Sequence, residues 1–541
     1  MDPFDRGTLY DTFRVTAARW AGQGAYAVPP MPGRSYHPDG KEYTWRETAL
    51  AAEALRERYA RAGYGHGHRV AILFEQRPEF LFHWYALNAL GVSVAPINPD
   101  YRHDEIAYLL DHSEAALVLA PEGRMAEVRA VTRELGARCA VAPFEEDAGS
   151  FPEARGATIS RPPDGATEAA LLYTSGTTGR PKGCVLSNEY FHTYGSWYVA
   201  RGGLLTMREG RERMYNPLPL HHANCLSISA PAMLLTGGCL VFPDRFHAST
   251  WWRDIVACKV TAVHFQGIIP NVLLKLPPCA EEREHELRFA LCAGVEPSQH
   301  APFETRFGFP IVEMWAMTET GRLVTDNHEP RMIHTRAFGR PTPGLEARVV
   351  DEQDREKPPG EAGEFCIRHS AAQPRKGFFS EYLKNPEATA TAWRGGWFHT
   401  GDVALRDASG LFFFVDRAKH IIRRSGENIA AAEVEACLTA HDKVRQVAVF
   451  PVPDEMRDEE VMACVVAKSP ADAGEALAHE LLRWSLDRIA YFKAPAWLRF
   501  VEALPTNTSQ KVQKGKLFEP GVDPRTQPGV IDLRALKKKP T

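Results

Sequence analysis

The sequence predicts an α/β protein in which a large amino-terminal domain, with mainly parallel sheets covered by helices, precedes a small α+β domain. The chain has 541 residues, more than one core of ordinary size can organise. Short apolar runs alternate with helical patterns in its first part, and this alternation is typical of βαβ units. After about residue 415 a charged, glycine-containing connector precedes two neighbouring strand patterns. We therefore predict domains 1–417 and 418–541.

The elements of the first domain follow from local patterns. Thr44 and Glu47 have the spacing of a capping box, so we expect a helix to begin after Thr44, and Gly63 is placed to end it. Short apolar runs predict strands, and the longer segments that alternate with them predict helices. The predicted strands are 69–74, 92–98 and 115–120, and the predicted helices are 80–90 and 101–112. A polar loop over 156–165 leads into an apolar run at 169–173.

The second domain is predicted from the same patterns. Its predicted helices are 430–440 and 475–489, and its predicted strands are 444–451, 461–468 and 497–501. Arg423 and Arg424 are expected to lie on a solvated face, because charge runs usually do. The three lysines near the carboxyl terminus, 537–539, are likewise expected to be a solvated end.

Composition excludes several classes of function. The formal net charge of −4 gives no general attraction for nucleic acid or for an anionic membrane. No apolar run approaches the roughly 20 residues that cross a bilayer, and the first residues do not resemble a secretory signal. The ten cysteines are scattered without a CxxC pair, which argues against zinc and predicts reduced thiols in the cytoplasm. The expected partners are therefore small molecules, and a homodimer is compatible with these data.

The most informative stretch is YTSGTTGRPKG, residues 173–183. Its glycines let backbone N–H groups approach an anion, its hydroxyls add donors, and Lys182 adds a positive charge. It is neither a P-loop nor a dinucleotide-binding fingerprint. Composition alone leaves a flexible surface turn as an equal alternative. The candidate phosphate-binding residues are Thr174, Ser175, Gly176, Thr177, Thr178 and Lys182.

The order of residues in this loop resembles the signature of the adenylate-forming superfamily, and in particular its AMP-forming acyl-CoA synthetases. That resemblance implies ATP, Mg²⁺ and coenzyme A as cofactor and co-substrates, and a mobile second domain. The segment 313–321, EMWAMTETG, resembles a further family motif. The resemblance implies that Thr318 contacts phosphate, that Glu319 holds Mg²⁺, and that Trp315 borders the nucleotide. A hard cation that bridges phosphates does prefer carboxylate oxygen.

Two further segments resemble nucleotide-binding motifs of that family. The small-residue turn Ala293, Gly294 and Val295 implies a place for the adenine ring, since close approach needs small residues. The segment WFHTGD implies that Asp402 accepts hydrogen bonds from the ribose hydroxyls, a task that suits a carboxylate.

The resemblance also assigns residues to the second half-reaction. Arg417 is implied to be a further ribose or phosphate contact, and Lys419 the hinge about which the small domain turns. Ser425 and Gly426 match the stretch that borders the pantetheine path. The segment 504–517, LPTNTSQKVQKGKL, places Lys511 on the catalytic lysine of the family. Asn507 and Gln510 depart from the family pattern there.

The acyl pocket is less well defined. The segment PLPLHHAN resembles one that flanks the acyl group in relatives, and the alternative is that His222 is a structural histidine. Ala316 stands where relatives have Gly, so the pocket is expected to be shallow. The residues proposed for this pocket are His222, Asn224, Phe265, Gln266, Trp315 and Ala316. They are compatible with an acid that has a polar or aromatic body, or with a plain aliphatic chain if His222 and Gln266 only pack around it.

Three functions compete at this point. An ATP-dependent carboxylic acid–CoA ligase is favoured, because no carrier domain is expected after the Lys511 segment. A stand-alone adenylating enzyme that loads a separate carrier protein shares the first half-reaction. A silent binding or sensor protein of the same fold would be expected to lack Lys182, Glu319, Asp402 or Lys511, and the chain has all of these.

Overall fold

The computed structural model describes residues 5–144, 149–174, 180–417, 421–505, 517–518 and 521–539. The chain divides into two compact units. The first comprises Met1–Asn98, Leu110–Leu172 and Gly183–Ala418, and the second comprises Pro99–Leu109, Tyr173–Lys182 and Lys419–Thr541. The boundary at 417/418 stays a prediction, and nothing in the sequence indicated that two early segments group with the second unit.

Helices and strands alternate through most of the chain. The helices of the described part are α1 (Leu9–Arg19), α2 (Trp45–Arg61), α3 (Glu79–Ala89), α4 (His103–Ser113), α5 (Met125–Glu134), α6 (Asn188–Val199), α7 (Ala230–Thr236), α8 (Trp251–Ala257), α9 (Ile268–Lys275), α10 (Pro297–Phe307), α11 (Pro386–Ala392), α12 (Ala431–Thr439) and α13 (Glu475–Arg488). The strands are β1 (Gly24–Val28), β2 (Lys41–Thr44), β3 (Arg69–Leu73), β4 (Ser93–Ile97), β5 (Leu117–Ala120), β6 (Ala140–Pro143), β7 (Glu168–Thr174), β8 (Lys182–Ser187), β9 (Arg213–Tyr215), β10 (Cys239–Val241), β11 (Ala262–Gln266), β12 (Phe289–Ala293), β13 (Ile311–Ala316), β14 (Leu323–Thr325), β15 (Ala337–Gly339), β16 (Glu346–Val350), β17 (Gly363–Arg368), β18 (Glu381–Tyr382), β19 (Phe398–Arg406), β20 (Phe412–Arg417), β21 (Ile421–Arg424), β22 (Glu427–Ala430), β23 (Val444–Asp454), β24 (Asp458–Ala467), β25 (Trp497–Phe500) and β26 (Val530–Asp532).

The predicted fold class and the predicted elements are confirmed. The capping box is present: the Thr44 hydroxyl accepts the N–H of Glu47 at 3.1 Å, and the Glu47 carboxylate accepts the N–H of Thr44 at 2.8 Å. The strands predicted at 69–74, 92–98 and 115–120 are β3, β4 and β5. The helices predicted at 80–90 and 101–112 are α3 and α4. In the second domain, β23 and β24 are longer than predicted because they pair with each other along most of their length.

An eight-stranded sheet of the first unit has the order β14-β13-β12-β11-β9-β10-β1-β2. Its six central strands are parallel to their neighbours, and only the edge strands β2 and β14 pair antiparallel. Both faces are covered by apolar cores, which is why these strands are almost continuously hydrophobic. Along β11, Ala262 packs in one core and Val263 and Phe265 pack in the other.

Two further sheets complete the first unit. The seven-stranded sheet has the order β18-β8-β7-β4-β3-β5-β6, and β3 to β6 are parallel to their partners. The helices α1, α2, α3, α6 and α7 contact one another in the core that this sheet shares with the eight-stranded sheet. The five-stranded sheet, β15-β20-β19-β17-β16, is antiparallel throughout. No helix of the described part is both long and apolar enough to span a bilayer.

The second unit contains a sheet in which β22, β21, β24, β25 and β26 follow one another, with β23 on the other side of β24. Helices α12 and α13 pack against each other and contribute to its core. The closing strand β26 was not predicted. It pairs antiparallel with β25, so the last described residues are part of the fold.

Each of the two expectations about charge is wrong at one residue. Arg424 is not solvated: its side chain is 3% exposed, and its Nε lies 2.6 Å from Oε1 of Glu460. Lys537 is not part of a solvated tail either, because its Nζ lies 2.7 Å from the other oxygen of the same carboxylate and its side chain is 1% exposed. We call Arg424, Glu460 and Lys537 the charged cluster. Charge runs are usually solvated, but the carboxylate of Glu460 makes burial of these two cations tolerable.

Candidate active site

The candidate site lies where four parallel strands of the eight-stranded sheet end. Strands β9, β11, β12 and β13 are consecutive neighbours, so their carboxyl ends lie on one edge. Open α/β sheets bind ligands in the crevice beyond such ends. The residues found there include Asn216, Gln266, Gly294, Ala316 and Thr318. Four of the predicted site residues are thus brought together, and Asn216 was not predicted.

The turn after β12 is fixed by a carboxylate that was not among the predicted site residues. Glu313 of β13 accepts the N–H of Gly294 at 2.7 Å and the N–H of Val295 at 3.0 Å. Gly294 has φ of 81°, which only glycine adopts without strain. Because these two N–H groups are already bonded, the turn offers its shape and its carbonyl groups to a ligand. The sequence signal that could have identified Glu313 is its position as the first, acidic residue of the motif EMWAMTETG.

A second glycine holds the turns after β11 and β12 close together. Gly267 follows β11, and its N–H donates to the carbonyl of Ala293 at 3.0 Å. A Cβ at Gly267 would lie 1.8 Å from the carbonyl oxygen of Gly294. The two turns therefore touch through backbone alone, and no larger residue fits at Gly267.

Trp315 and Asp402 are joined by a direct hydrogen bond. The indole N–H of Trp315 donates to Oδ2 of Asp402 at 2.8 Å, and both side chains are buried. The ring packs edge-on against Phe365. Trp315 and Ala316 point to opposite faces of β13, because successive residues of a strand alternate. Trp315 is therefore a neighbour of the predicted ribose carboxylate, and we remove it from the acyl pocket.

The strand that carries Asp402 is held by a second carboxylate. Glu364 of β17 accepts the N–H of Gly401 at 3.1 Å and the Nδ1–H of His399 at 2.9 Å. Arg394 adds an ion pair at 2.8 Å. Burial opposes ionisation, but these hydrogen bonds lower the pKa of Glu364 to about 2. Glu364, Cys366 and His399 lie close enough to resemble a metal site, yet the hydrogen bonds and the cation of Arg394 already use the carboxylate.

Glu319 is buried and has one carboxylate oxygen engaged. The hydroxyl of Tyr382 donates to Oε1 at 2.8 Å. Burial, reinforced by the charge of Glu319, raises the pKa of the Tyr382 phenol far above its ordinary value, so the phenol stays a donor. The other oxygen, Oε2, has no hydrogen-bond partner among the described residues, which fits a carboxylate that is to hold a hard cation.

The turn that precedes Glu319 is supported from α6. The hydroxyl of Tyr190 donates to the carbonyl of Thr318 at 2.5 Å, and that of Tyr194 donates to the carbonyl of Met317 at 2.9 Å. The Thr318 side chain is half-buried and its hydroxyl has no partner within the described ranges. Tyr190 and Tyr194 were not predicted, because the sequence of a helix does not indicate the hydrogen-bond partners of its tyrosines.

The glycine-rich loop is described only at its two ends. Strand β7 ends at Thr174 and strand β8 begins at Lys182, and both side chains are half-buried. Ser175, Gly176, Thr177 and Thr178 lie outside the described residues. Tyr382 pairs with Cys184 across β18 and β8, so the Tyr382–Glu319 hydrogen bond lies beside the strand that begins at Lys182.

The predicted acyl residues separate into two groups. Asn224, His222, Gln266 and Ala316 are half-buried. Phe265 is fully buried in the apolar core on the other face of β11, against Trp251 and Phe303. We therefore remove Phe265 from the acyl pocket. His264 lies on the same face of β11 as Gln266. It was not predicted, although a histidine inside the apolar run AVHFQ is a signal in the sequence.

The residues assigned to the second half-reaction are only partly described. Ser425 and Gly426 form the two-residue turn between β21 and β22, with φ of 50° and 92°. Positive φ at both positions is the geometry of a type I′ hairpin turn. The backbone of Arg417 pairs with Asp402 across β20 and β19. The Arg417 side chain, Lys419 and Lys511, with Asn507 and Gln510, lie outside the described part.

Two family models match the chain. The model for AMP-binding enzymes matches residues 13–379, and the model for the C-terminal domain of AMP-binding enzymes matches residues 433–511. The chain belongs to the AMP-binding enzyme family. The first match includes the glycine-rich loop, the turn at Gly294 and the segment of Glu319, and the second ends at Lys511.

Named relatives are ligases. The chain is 32% identical over 476 residues to the crotonobetaine/carnitine–CoA ligase of Citrobacter koseri, a match that covers 84% of this chain and 89% of the relative. It is also 32% identical to the sulfoacetate–CoA ligase of Cupriavidus necator, covering 94% and 97%. These relatives confirm the prediction of the adenylate-forming superfamily, of its acyl-CoA synthetase family, and of an acid–thiol ligase.

Solved structures show the same fold. A double mutant of the o-succinylbenzoate CoA synthetase of Bacillus subtilis gives a TM-score of 0.80 at 24% identity, covering 94% of this chain and 98% of that one. The amide bond synthetase of Marinactinospora thermotolerans gives 0.79, also at 24% identity, covering 93% and 98%. This structural similarity supports the fold and does not identify the carboxylic acid substrate.

Proposed function

We propose that this enzyme joins a small to medium or aromatic carboxylic acid to coenzyme A, using ATP and releasing AMP and diphosphate. The observation that supports this best is the segment 313–319. Within it Glu313 fixes the turn at Gly294, Trp315 contacts Asp402, and Glu319 contacts Tyr382. One short strand and turn thus set the positions proposed for adenine, ribose and metal.

The proposed chemistry begins with attack of the substrate carboxylate on the α-phosphorus of ATP, and diphosphate leaves. Negative charge spreads over phosphoryl oxygens in such a transition state, so positioned donors and cations do most of the work. We assign the phosphates to the loop 174–178 and Lys182, and the ribose to Asp402 and Arg417. Lys511 is proposed to bridge the carboxylate and the α-phosphate.

Glu319 is the residue proposed to hold Mg²⁺, because its second oxygen is open in the described part and its first is fixed by Tyr382. A bound divalent cation would offset charge on the departing diphosphate. In the second half-reaction the thiolate of coenzyme A attacks the acyl-AMP and expels AMP. We propose that this step follows a turn of the carboxyl-terminal domain about Lys419, with Ser425 and Gly426 bordering the pantetheine. A cytoplasmic location and a homodimer stay our expectations.

The proposal is tested by two measurements on one panel of acids. Diphosphate release identifies the acids that are adenylated, and mass spectrometry then measures thioester formed with coenzyme A or with carrier proteins. We expect CoA thioesters for the acids that release diphosphate. Adenylation that yields thioester only on a carrier protein would overturn the CoA assignment in favour of a carrier-loading enzyme.

The role of Lys511 has its own test. Lys511→Ala should slow formation of the acyl-adenylate by about 100-fold or more, while thioester formation from supplied acyl-AMP changes little, because the lysine acts only in the first transition state. Lys514→Ala in the same segment is the matched control and should leave both rates intact. Equal losses in both half-reactions of the Lys511 variant would remove it from this role.

A further inference from the structure

Four polar side chains meet at the carboxyl ends of β9 and β11. Asn216 follows β9, His264 belongs to β11, and Asn224 and Ser229 begin and end a single π-helical turn that runs into α7. Turns of this kind are frequent at functional sites. We call these four residues the amide–histidine network. None of the four side chains carries a charge. Asn216, Ser229 and His264 are fully buried.

The hydrogen positions in this network follow from one backbone contact. The N–H of Leu218 donates to Oδ1 of Asn216 at 2.9 Å, which fixes the orientation of that amide. Its Nδ2 group therefore donates to Oδ1 of Asn224 at 3.0 Å and to the hydroxyl oxygen of Ser229 at 2.8 Å. The amide nitrogen of Asn224 must then face His264, and Nε2 of His264 must accept at 3.0 Å.

The tautomer of His264 is determined in the same way. Since Nε2 accepts, the ring hydrogen is on Nδ1 and donates to the hydroxyl oxygen of Ser229 at 2.8 Å. The ring is fully buried and lies edge-on to Tyr198. Burial lowers the pKa of His264 to about 3, so the imidazole is neutral at physiological pH. Both ring nitrogens are occupied by the network itself.

With these directions two donors of the network meet no acceptor within the described ranges: the fully buried hydroxyl of Ser229 and one N–H of Asn224. The amide of Asn224 has two N–H groups and only one is used, and within the described ranges the other meets no acceptor. Asn224 is half-buried and the other three members are fully buried, so Asn224 is the member of the network that a ligand can reach. The half-buried amide of Gln266, two residues beyond His264 on the same face of β11, likewise has no hydrogen-bond partner in the part of the chain described. This wall of the crevice is therefore polar and uncharged.

We propose that the open N–H of Asn224 donates to an uncharged oxygen in the body of the substrate, and that His264 is a positioning residue that fixes the Asn224 amide in this orientation. The favoured substrates would be carboxylic acids that carry a hydroxyl, keto or ether oxygen besides the carboxylate. A plain alkyl acid would leave the donor unpaired, which is unfavourable for a desolvated amide. A second anionic group would meet no cation in the network. This inference rests on the proposed function.

The test compares matched pairs of acids. Values of kcat/KM for diphosphate release are measured for pentanoate and 4-oxopentanoate, butanoate and 3-hydroxybutanoate, and 4-methylbenzoate and 4-methoxybenzoate. We expect the oxygenated member of at least one pair to be preferred by about 10-fold to 100-fold, the range typical of a hydrogen bond that an analogue cannot make. In Asn224→Leu, which keeps the volume and removes the donor, that preference should fall to within about 3-fold.

The positioning role of His264 is tested by the same ratio. His264→Phe should reduce the preference by about 10-fold through a higher KM for the oxygenated acid, with the KM for ATP unchanged, because the amide of Asn224 loses its fixed orientation. His83→Phe is the matched control: His83 is also a buried histidine, bonded to Tyr59 at 2.7 Å, but lies on α3 outside the network. It should leave the ratio intact.

Each outcome decides between the proposals. If no acid releases diphosphate, the proposed function fails. If alkyl and oxygenated acids react equally well in every pair, the function stands and this inference is overturned. If Asn224→Leu slows all acids alike, Asn224 contacts the reacting carboxylate and the inference is also wrong. Should His264→Phe not fold, Asn224→Leu at its half-buried position still gives the decisive ratio.

Discussion

The amide–histidine network and the charged cluster are both buried, but they are built in opposite ways. The network joins two amides, a hydroxyl and a neutral imidazole, and one N–H is left over. The charged cluster places both oxygens of Glu460 against two cations. An unpaired buried charge costs far more free energy than an unpaired neutral donor, so a neutral network can keep one donor for a ligand at a smaller cost. We infer that the charged cluster serves stability and the network serves specificity.

The largest expected effect comes from breaking the charged cluster. Glu460→Ala should lower the free energy of unfolding of the second unit by about 3–5 kcal/mol, because it leaves the buried guanidinium of Arg424 without a counter-ion. Burial already lowers the pKa of Lys537 to about 7, so that amine becomes neutral once Glu460 is gone. Hydrogen exchange of peptides that cover β24, measured in increasing urea, reports this loss. Glu480→Ala, which breaks the exposed pair with Lys443, is the control and should change little. Similar losses in both variants would contradict the comparison.

A smaller effect is expected where the two turns of the crevice touch. Gly267→Ala would place a Cβ 1.8 Å from the carbonyl oxygen of Gly294, so one turn must move. We expect kcat/KM for the acid and for ATP to fall together by about 100-fold, the cost of misplacing reacting groups by roughly 1 Å. Gly22→Ala is the control, since a Cβ there meets nothing within 4 Å. A loss confined to one substrate would show that the turns are independent.

The third effect concerns the nucleotide end of the site. Trp315→Phe removes the indole N–H that donates to Asp402, and the KM for ATP should rise about 10-fold because a hydrogen bond to a carboxylate is lost. The acid preference should not change. Trp393→Phe is a matched replacement, because the buried indole N–H of Trp393 has no partner in the described residues. If the acid preference also shifts, the acyl and nucleotide ends are coupled more closely than we propose.

The smallest effect is the pH dependence of the network. Buried His264 resists protonation down to a pKa of about 3, whereas the unfolded chain binds that proton near 6.5. Unfolding therefore takes up a proton in acid, and stability falls as pH decreases below about 6.5. At pH 6 this amounts to about 0.8 kcal/mol from this residue. Urea unfolding at pH 8 and pH 6 should show a smaller decrease in His264→Phe than in the wild type. An unchanged decrease would mean that the ring is charged when folded.

The sequence by itself determined a large part of this picture. Local patterns predicted α2, α3, β3 and β24. Helix α2 buries one face of a spaced apolar pattern, whereas α3, β3 and β24 are nearly continuous apolar runs that are buried on both sides. The capping box at Thr44 and Glu47 was predicted because both partners are three residues apart. The family assignment came from short ordered motifs such as the glycine-rich loop and the segment of Glu319, which the family models also match.

Only the tertiary structure decided which residues meet across long separations. Trp315 bonds to Asp402, Glu460 pairs with Lys537, and Asn224 bonds to His264, and in no case does local spacing signal the partner. Phe265 was misassigned because a strand shows that its faces alternate but not which of two buried faces borders the crevice. Local patterns report the environment of a single element, whereas hydrogen-bond partners depend on how strands are ordered in a sheet, and that order is set by the packing of the whole unit.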